Sequence, residues 1–168
     1  MSDGDRIAVC PGSYDPVTNG HLDIITRASR VFDKVVVGVV VNAPRKAGHL
    51  FEPEERKEFL EQALASNRVS NVEVAVFRNL LVEFARGHKA IAIVKGLRAI
   101  SDFEYEFEMN QLNRKLAPEI ESVYVIASPD YSFLSSTGVK EMATFGGDVS
   151  DLVPPPVAEA LAERVKRD

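Results

Sequence analysis

The stretch from Pro11 to His21 gathers hydroxyls at Ser13 and Thr18, an imidazole at His21 and glycines at Gly12 and Gly20. Hydroxyl, imidazole and closely approachable backbone are the groups that grip phosphate oxygens. A short apolar run, Ile7 to Cys10, precedes the stretch, and a helical pattern of Leu22, Ile25, Ala28 and Val31 follows it. The reading is therefore strand, tight turn, helix start. Gly12 lets the backbone come close to a ligand, while Pro11 and Pro16 stiffen the turn. Thr18 suits an N-cap, so the helix behind it turns unpaired N–H groups and its positive dipole end toward an anion. The Gly-Lys-Ser/Thr ending of a Walker A loop and the three spaced glycines of a dinucleotide fingerprint are both missing. A capped turn with a surface histidine would share the Thr-Asn-Gly-His part; the Pro-Gly-Ser-Tyr-Asp-Pro preface favours the phosphate site.

Four further clusters carry chemistry. Asn42-Ala43-Pro44-Arg45-Lys46-Ala47-Gly48-His49 holds two cations, and the spacing leaves open whether they serve a ligand or solvent. Lys95-Gly96-Leu97-Arg98 follows an apolar run and places two cations at its end, with Gly96 allowing close approach. Downstream, Glu106, Met109 and Asn113 fall on one helical stripe, which either lines a pocket or leaves Glu106 in water beside a Met-filled core. Tyr131-Ser132-Phe133-Leu134-Ser135-Ser136-Thr137 opens a helix with three consecutive hydroxyls, where capping needs one and phosphate could use all. Lys140, one turn in, faces either the site or solvent.

The elements that must position these clusters alternate along the chain. Strands are expected at Ile7–Cys10, Val35–Val41, Val72–Phe77, Ala90–Val94 and Ser122–Ala127. Helices are expected after Thr18, from Pro53 through Leu64, over Leu80–Arg86, from a Ser101…Glu104 capping box to Leu116, and over 136–145 and 154–166. Five strands alternating with helices imply an α/β fold with a doubly wound parallel sheet. Ligands bind beyond the carboxyl ends of such strands, so loops 11–21, 42–51, 95–102 and 128–137 should converge. The 168 residues, 45% hydrophobic, suffice for one domain with its own core. The single cysteine, Cys10, excludes an internal disulfide, and the net charge of −5 argues against nucleic acid as a partner. No stretch reads as a signal peptide or membrane span, so the expected compartment is cytoplasmic.

Thr18-Asn19-Gly20-His21 resembles the Thr/His-x-Gly-His signature of the nucleotidyltransferases. Together with Lys95-Gly96-Leu97-Arg98, Asp102-Phe103-Glu104-Tyr105-Glu106 and Tyr131-Ser132-Phe133-Leu134-Ser135-Ser136-Thr137, it makes the chain similar to the phosphopantetheine adenylyltransferase family, from Cys10 through Val149. The resemblance implies one Rossmann-like nucleotidyltransferase domain over 1–168. It further implies reversible transfer of AMP from ATP to 4′-phosphopantetheine, giving dephospho-coenzyme A and pyrophosphate in coenzyme A biosynthesis. A homohexamer, Mg²⁺ carried in with ATP and feedback by coenzyme A are part of the same expectation.

The resemblance also assigns roles. His21, Lys46 and Arg98 would be catalytic, with His21 stabilising the pentacovalent α-phosphate and Lys46 touching the reacting phosphate. Ser13, Tyr14, His21, Gly96, Leu97, Arg98, Glu106 and Tyr131 to Thr137 (Ser132, Phe133, Leu134, Ser135 and Ser136 between them) would hold ATP. Ser13, Lys46, Leu81, Lys95 and Asn113 would hold the acceptor. Lys95 stands where arginine is common, which keeps charge but gives up bidentate recognition. The stretch from Lys46 to Phe51 is one residue longer than usual, so the loop cation is Lys46 or Arg45. Gly138 replaces a bulkier residue. An acceptor that is already an ionised phosphate needs no general base; bringing two polyanions together and stabilising charge at the α-phosphorus is the task. No His, Cys or carboxylate cluster in the sequence suggests a protein-held metal. A transferase using CTP or a nicotinamide mononucleotide acceptor, or a non-catalytic ATP or coenzyme A module, are the rival readings; the joint presence of His21, Lys46 and Arg98 speaks against the last.

Overall fold

The structure, a computed structural model, describes residues 4–41 and 48–165, so Asn42, Arg45 and Lys46 lie outside the described residues. Strands and helices alternate: β1 Ile7–Gly12, α1 Asn19–Ser29, β2 Lys34–Val40, α2 Pro53–Ser66, β3 Val72–Phe77, α3 Leu81–Gly87, β4 Ala92–Leu97, α4 Ile100–Leu116, β5 Glu121–Ile126, α5 Ser136–Thr144 and α6 Pro155–Val165. A 3₁₀ turn, Pro129–Tyr131, precedes α5 and has no counterpart in the sequence expectation.

The five strands form one parallel sheet in the order β3-β2-β1-β4-β5. Alternate strand residues enter two separate cores. Ala8, Cys10, Val35, Val37, Val39, Ala92 and Val94 join Leu22, Ile25, Leu60, Leu64, Val139 and Leu161 from α1, α2, α5 and α6. Val9, Val36 and Ile93 join Val82, Phe84, Ala85, Ala117 and Ile120 on the α3 and α4 side. A sheet covered on both faces explains the nearly unbroken β-branched run of β2. Gly38 belongs to this packing: a Cβ there would sit 2.7 Å from the Phe84 ring and 3.0 Å from the Phe77 ring. Those rings stack on each other at 4.4 Å.

β1 runs two residues past Cys10, so Pro11 and Gly12 are strand residues paired with Gly38 and Val39, not turn residues. β4 runs three residues past Val94, because its ladder with β5 continues through Lys95↔Tyr124, Gly96↔Val125 and Leu97↔Ile126. Lys95 and Gly96 are thus strand residues, not loop residues. The Ser101…Glu104 capping box does not open α4; the N-cap is Ala99, without a side-chain cap. Asp102 instead accepts from the Arg98 backbone N–H and guanidinium.

Gly38→Ala should destabilise the fold by about 1–3 kcal/mol, the usual range for overpacking a filled core. Urea unfolding checks this, and wild-type stability would mean that the stacked ring pair shifts freely.

Candidate active site

The site arises where β1 loses a neighbour. β1 pairs with β2 as far as Gly12↔Val39, but with β4 only at Ala8↔Ala92 and Val9↔Ile93. Beyond that point β1 and β4 part. The chain also reverses its winding here, because β2 and β3 lie on one side of β1, and β4 and β5 on the other. Such a switch point opens a crevice at the carboxyl ends of the strands. A cleft of about 1030 Å³ occupies it, lined by Ser13, Tyr14, Thr18, His21, Leu81, Lys95, Gly96, Arg98, Glu106, Asn113, Tyr131 and Leu134 to Thr137, among others.

Local chemistry fixes the motif at its mouth. Thr18 is the N-cap of α1 and its hydroxyl accepts from the His21 backbone N–H at 3.3 Å. The Thr18 backbone N–H donates back to His21 Nδ1 at 3.0 Å, closing a capping box in which histidine takes the place of the usual glutamate. An accepting Nδ1 leaves the ring proton on Nε2, so the neutral ring presents a donor. Tyr14 adopts φ 50° and its ring meets His21 edge-on at 5.0 Å. Its hydroxyl donates to the Cys10 carbonyl at 2.8 Å, which commits that group to the turn. A Cβ at Gly12 would meet the Tyr14 ring at 2.9 Å, and one at Gly96 would meet Ile24 at 2.9 Å. Both glycines therefore make room for a protein side chain on the face where a Cβ would stand, and both also line the cleft.

Beneath the motif lies a charged cluster that the sequence reading missed. Asp15, 1% exposed, accepts from the Leu50 and Phe51 backbone N–H groups at 3.0 and 2.9 Å and from Lys140 Nζ at 2.9 Å. Lys140 thus faces inward, settling its open orientation. Arg56, fully buried, donates to the Ser13 carbonyl at 2.6 Å and the Val40 carbonyl at 3.0 Å. Burial alone would raise the Asp15 carboxyl; Lys140 and the two backbone donors outweigh it and hold the group below its ordinary value. Burial pulls the Arg56 guanidinium down, with Asp15, Glu52 and Glu54 opposing. Glu-Pro-Glu-Glu-Arg-Lys looks like a surface helix start, so Arg56 carried no signal beyond its place in α2.

The far wall comes from β4, α4 and the segment before α5. Lys95 and Glu106, expected on the acceptor and ATP sides respectively, form an ion pair at 3.1 Å. Tyr124 on β5, not foreseen, donates to the Glu106 carbonyl at 3.1 Å. Arg98 is forked onto Asp102 and donates to the Leu134 carbonyl at 2.9 Å, tying β4 to the 131–137 segment. Two of the three consecutive hydroxyls are already engaged: Ser135 caps α5 through Gly138 N–H, and Ser136 donates to the Pro16 carbonyl at 2.8 Å. Ser132 donates to the Pro129 carbonyl. Leu97 is buried, Phe133 is exposed, and neither they nor Ser132 line the cleft. Arg78, Asn79 and Leu80 after β3 do line it, adding a loop that the sequence reading left out. Burial pushes the Cys10 thiol up to about 12, with Lys95 opposing, so it is no nucleophile at neutral pH. Among the described residues no group of three or more His, Cys, Asp or Glu could hold a metal ion.

Residues 9–142 match the cytidylyltransferase-like family. A phosphopantetheine adenylyltransferase of Clostridium botulinum (strain Alaska E43 / Type E3) is 50% identical over 161 residues, 96% of this chain and 99% of its own. One of Streptomyces coelicolor is 53% identical over 161 residues, 96% of this chain and 98% of its own. Two solved structures share the fold. The bifunctional NMN adenylyltransferase/ADP ribose pyrophosphatase of Francisella tularensis, complexed with AMP and a manganese ion, has TM-score 0.71 at 18% identity, over 96% of this chain and 49% of that one. The Plasmodium falciparum nicotinic acid mononucleotide adenylyltransferase complexed with NaAD has TM-score 0.70 at 14% identity, over 94% of each chain.

The lowered Asp15 carboxyl makes a stability prediction. A depressed carboxylate stabilises the fold above the ordinary carboxylate pKa, and that contribution is lost as pH falls through the folded-state value. Asp15→Asn should therefore melt well below wild type at about pH 7, with the gap closing as pH falls below the ordinary carboxylate value of about 3.9. A gap that is unchanged by acid would mean that the Asp15 charge is not what ties Lys140, Leu50 and Phe51 together.

Proposed function

Because the chain belongs to the phosphopantetheine adenylyltransferase family, within the cytidylyltransferase-like group, we propose that it transfers AMP from ATP to 4′-phosphopantetheine. The products are dephospho-coenzyme A and pyrophosphate, and the reaction is a step of coenzyme A biosynthesis. The observation that carries the reading is the Thr18–His21 capping box at the mouth of the cleft between β1 and β4. It presents a neutral imidazole donor beside the N-terminus of α1, where negative charge would grow on the α-phosphate.

An oxygen of the acceptor's phosphate attacks the α-phosphorus of ATP, the bond to the bridging oxygen breaks, and pyrophosphate leaves with its electron pair. The nucleophile is already ionised, so no protein base is required. His21 Nε2–H donates to the α-phosphate oxygens as charge accumulates. Ser13, Tyr131 and the segment from Leu134 to Thr137 hold the nucleotide, with Arg98 fixed by Asp102 and the Leu134 carbonyl. Lys95, held by Glu106, serves the acceptor together with Leu81 and Asn113, all three lining the cleft, and Lys46, which follows β2 in the sequence, serves the reacting phosphate. ATP enters as its Mg²⁺ complex, whose cation screens the triphosphate and helps pyrophosphate leave.

The rest of the reading concerns context. One domain spans residues 1–168. Coenzyme A, which carries the same pantetheine arm, would compete for the cleft as a feedback inhibitor. A homohexamer is supported by apolar side chains on α4, where Phe103, Phe107, Leu112 and Leu116 are 50%, 52%, 51% and 52% exposed. The cytoplasm, where soluble metabolites meet, is the assigned compartment. No described helix is long and apolar enough to cross a membrane.

The direct test is mass-spectrometric detection of dephospho-coenzyme A after mixing the protein with ATP, Mg²⁺ and 4′-phosphopantetheine. Product should also revert to ATP when pyrophosphate is added, since one phosphoanhydride replaces another. Pantetheine lacking its phosphate should not react, because its hydroxyl has no base to activate it; rapid adenylylation of that compound would contradict the mechanism. His21→Ala should lower kcat by about 10²–10³ while leaving ATP affinity nearly unchanged, the usual cost of losing a transition-state donor. Steady-state kinetics showing near-wild-type kcat would remove His21 from the chemistry.

A further inference from the structure

We infer that Arg56 is a positioning residue: its guanidinium sets Ser13 against the end of β2, standing in for a ladder rung that is missing there. The inference rests on the reaction proposed above. The β1–β2 ladder ends at Gly12↔Val39, while β2 continues with β3 to Val40↔Phe77. One residue beyond the last rung, Arg56 Nη1 donates to the Ser13 carbonyl at 2.6 Å and to the Val40 carbonyl at 3.0 Å. Nη2 reaches the Val41 carbonyl at 3.4 Å. Nη1 alone joins the two carbonyls past the end of the ladder, and the planar guanidinium carries it one atom farther from the backbone than a lysine ammonium reaches, with Nη2 on Val41 fixing the plane.

This bridge matters because β1 is poorly held at its end. On its other side the ladder with β4 stops at Val9↔Ile93, so Cys10, Pro11 and Gly12 run on with β2 as their ladder partner. Past Gly12 no ladder holds the turn, yet Ser13 and Val40 both line the cleft. Any change in the Ser13–Val40 spacing is a change in the site.

Arg56 is also costly to keep. The residue is 0% exposed, and its Nε has no hydrogen-bond partner among the described residues. Removing one charge from such a buried cluster is destabilising, so Arg56 holds the fold as well as the spacing of the two strands. An apolar side chain would fill the volume under the motif but could not join the two carbonyls. The neighbouring Asp15 compensates the charge, and it pins Leu50 and Phe51 to the same floor.

The test compares Arg56→Lys and Arg56→Gln with wild type by steady-state kinetics, ATP calorimetry and thermal melting. Lysine keeps the charge on a single nitrogen; glutamine removes the charge and shortens the stem. In both, kcat per folded molecule should fall about ten- to hundredfold, the scale expected for a misplaced reacting group, while ATP affinity stays within about threefold. Full kcat per folded molecule in either variant overturns the inference. So does a loss of rate that merely tracks the folded fraction, or a failure of both variants to fold, since each makes Arg56 a residue of stability. If only one variant folds, its kcat decides. The wild-type control separates the two claims: an active wild type with unimpaired variants rejects the role of Arg56 alone. A wild type that forms no dephospho-coenzyme A rejects the reaction and this role together.

Discussion

The molecule depends on one asymmetry in its sheet: β1 keeps β2 to its end but gives up β4 after Val9. A parallel strand normally lies between two partners, and losing one leaves backbone groups that need other donors and acceptors. Here the consequence is both a cleft and a problem. The cleft opens between β1 and β4; the problem is that the turn carrying Ser13 hangs from a strand supported on one side. Tyr14 answers part of it by folding over Gly12 and donating to Cys10. Arg56 and Asp15 answer the rest from below, bonding Ser13, Val40, Leu50 and Phe51.

The same arrangement explains how an acidic protein accommodates polyanions. The net charge of −5 is irrelevant at the scale of the cleft, because what matters is local. Asp15 lies beneath the motif with its charge matched by Lys140 and by nearby Arg56. Glu106 similarly pairs with Lys95, and Asp102 with Arg98. Each carboxylate holds a cation in place, and the dipole end of α1 adds donors that carry no titratable proton.

Local signals were legible in the sequence, and long-range ones were not. The Thr18 cap and the start of α2 at Pro53 followed from neighbouring residues and stand in the structure. The strands and their alternation followed from apolar runs, which report burial on both faces. The end of β4 did not, because Lys95 and Gly96 stay in register only through β5, far along the chain. The Ser101…Glu104 pattern misplaces the start of α4, which begins from Ala99 with no side-chain cap. Gly12 and Gly96 line the cleft, but that Tyr14 and Ile24 take the space their Cβ atoms would fill could not be read from sequence. Arg56 left no local trace at all, since its partners are main-chain carbonyls of other elements.

The central claim is that the protein positions and polarises two phosphates without joining the reaction covalently. The stereochemical course at the α-phosphorus tests it most directly. The measurement uses ATP made chiral at that atom with sulfur and oxygen isotopes, and reads the configuration of the phosphorothioate in the dephospho-coenzyme A analogue formed. A single in-line displacement gives inversion, which is the predicted result. Retention would require two displacements through an enzyme-bound nucleotidyl group and would contradict it.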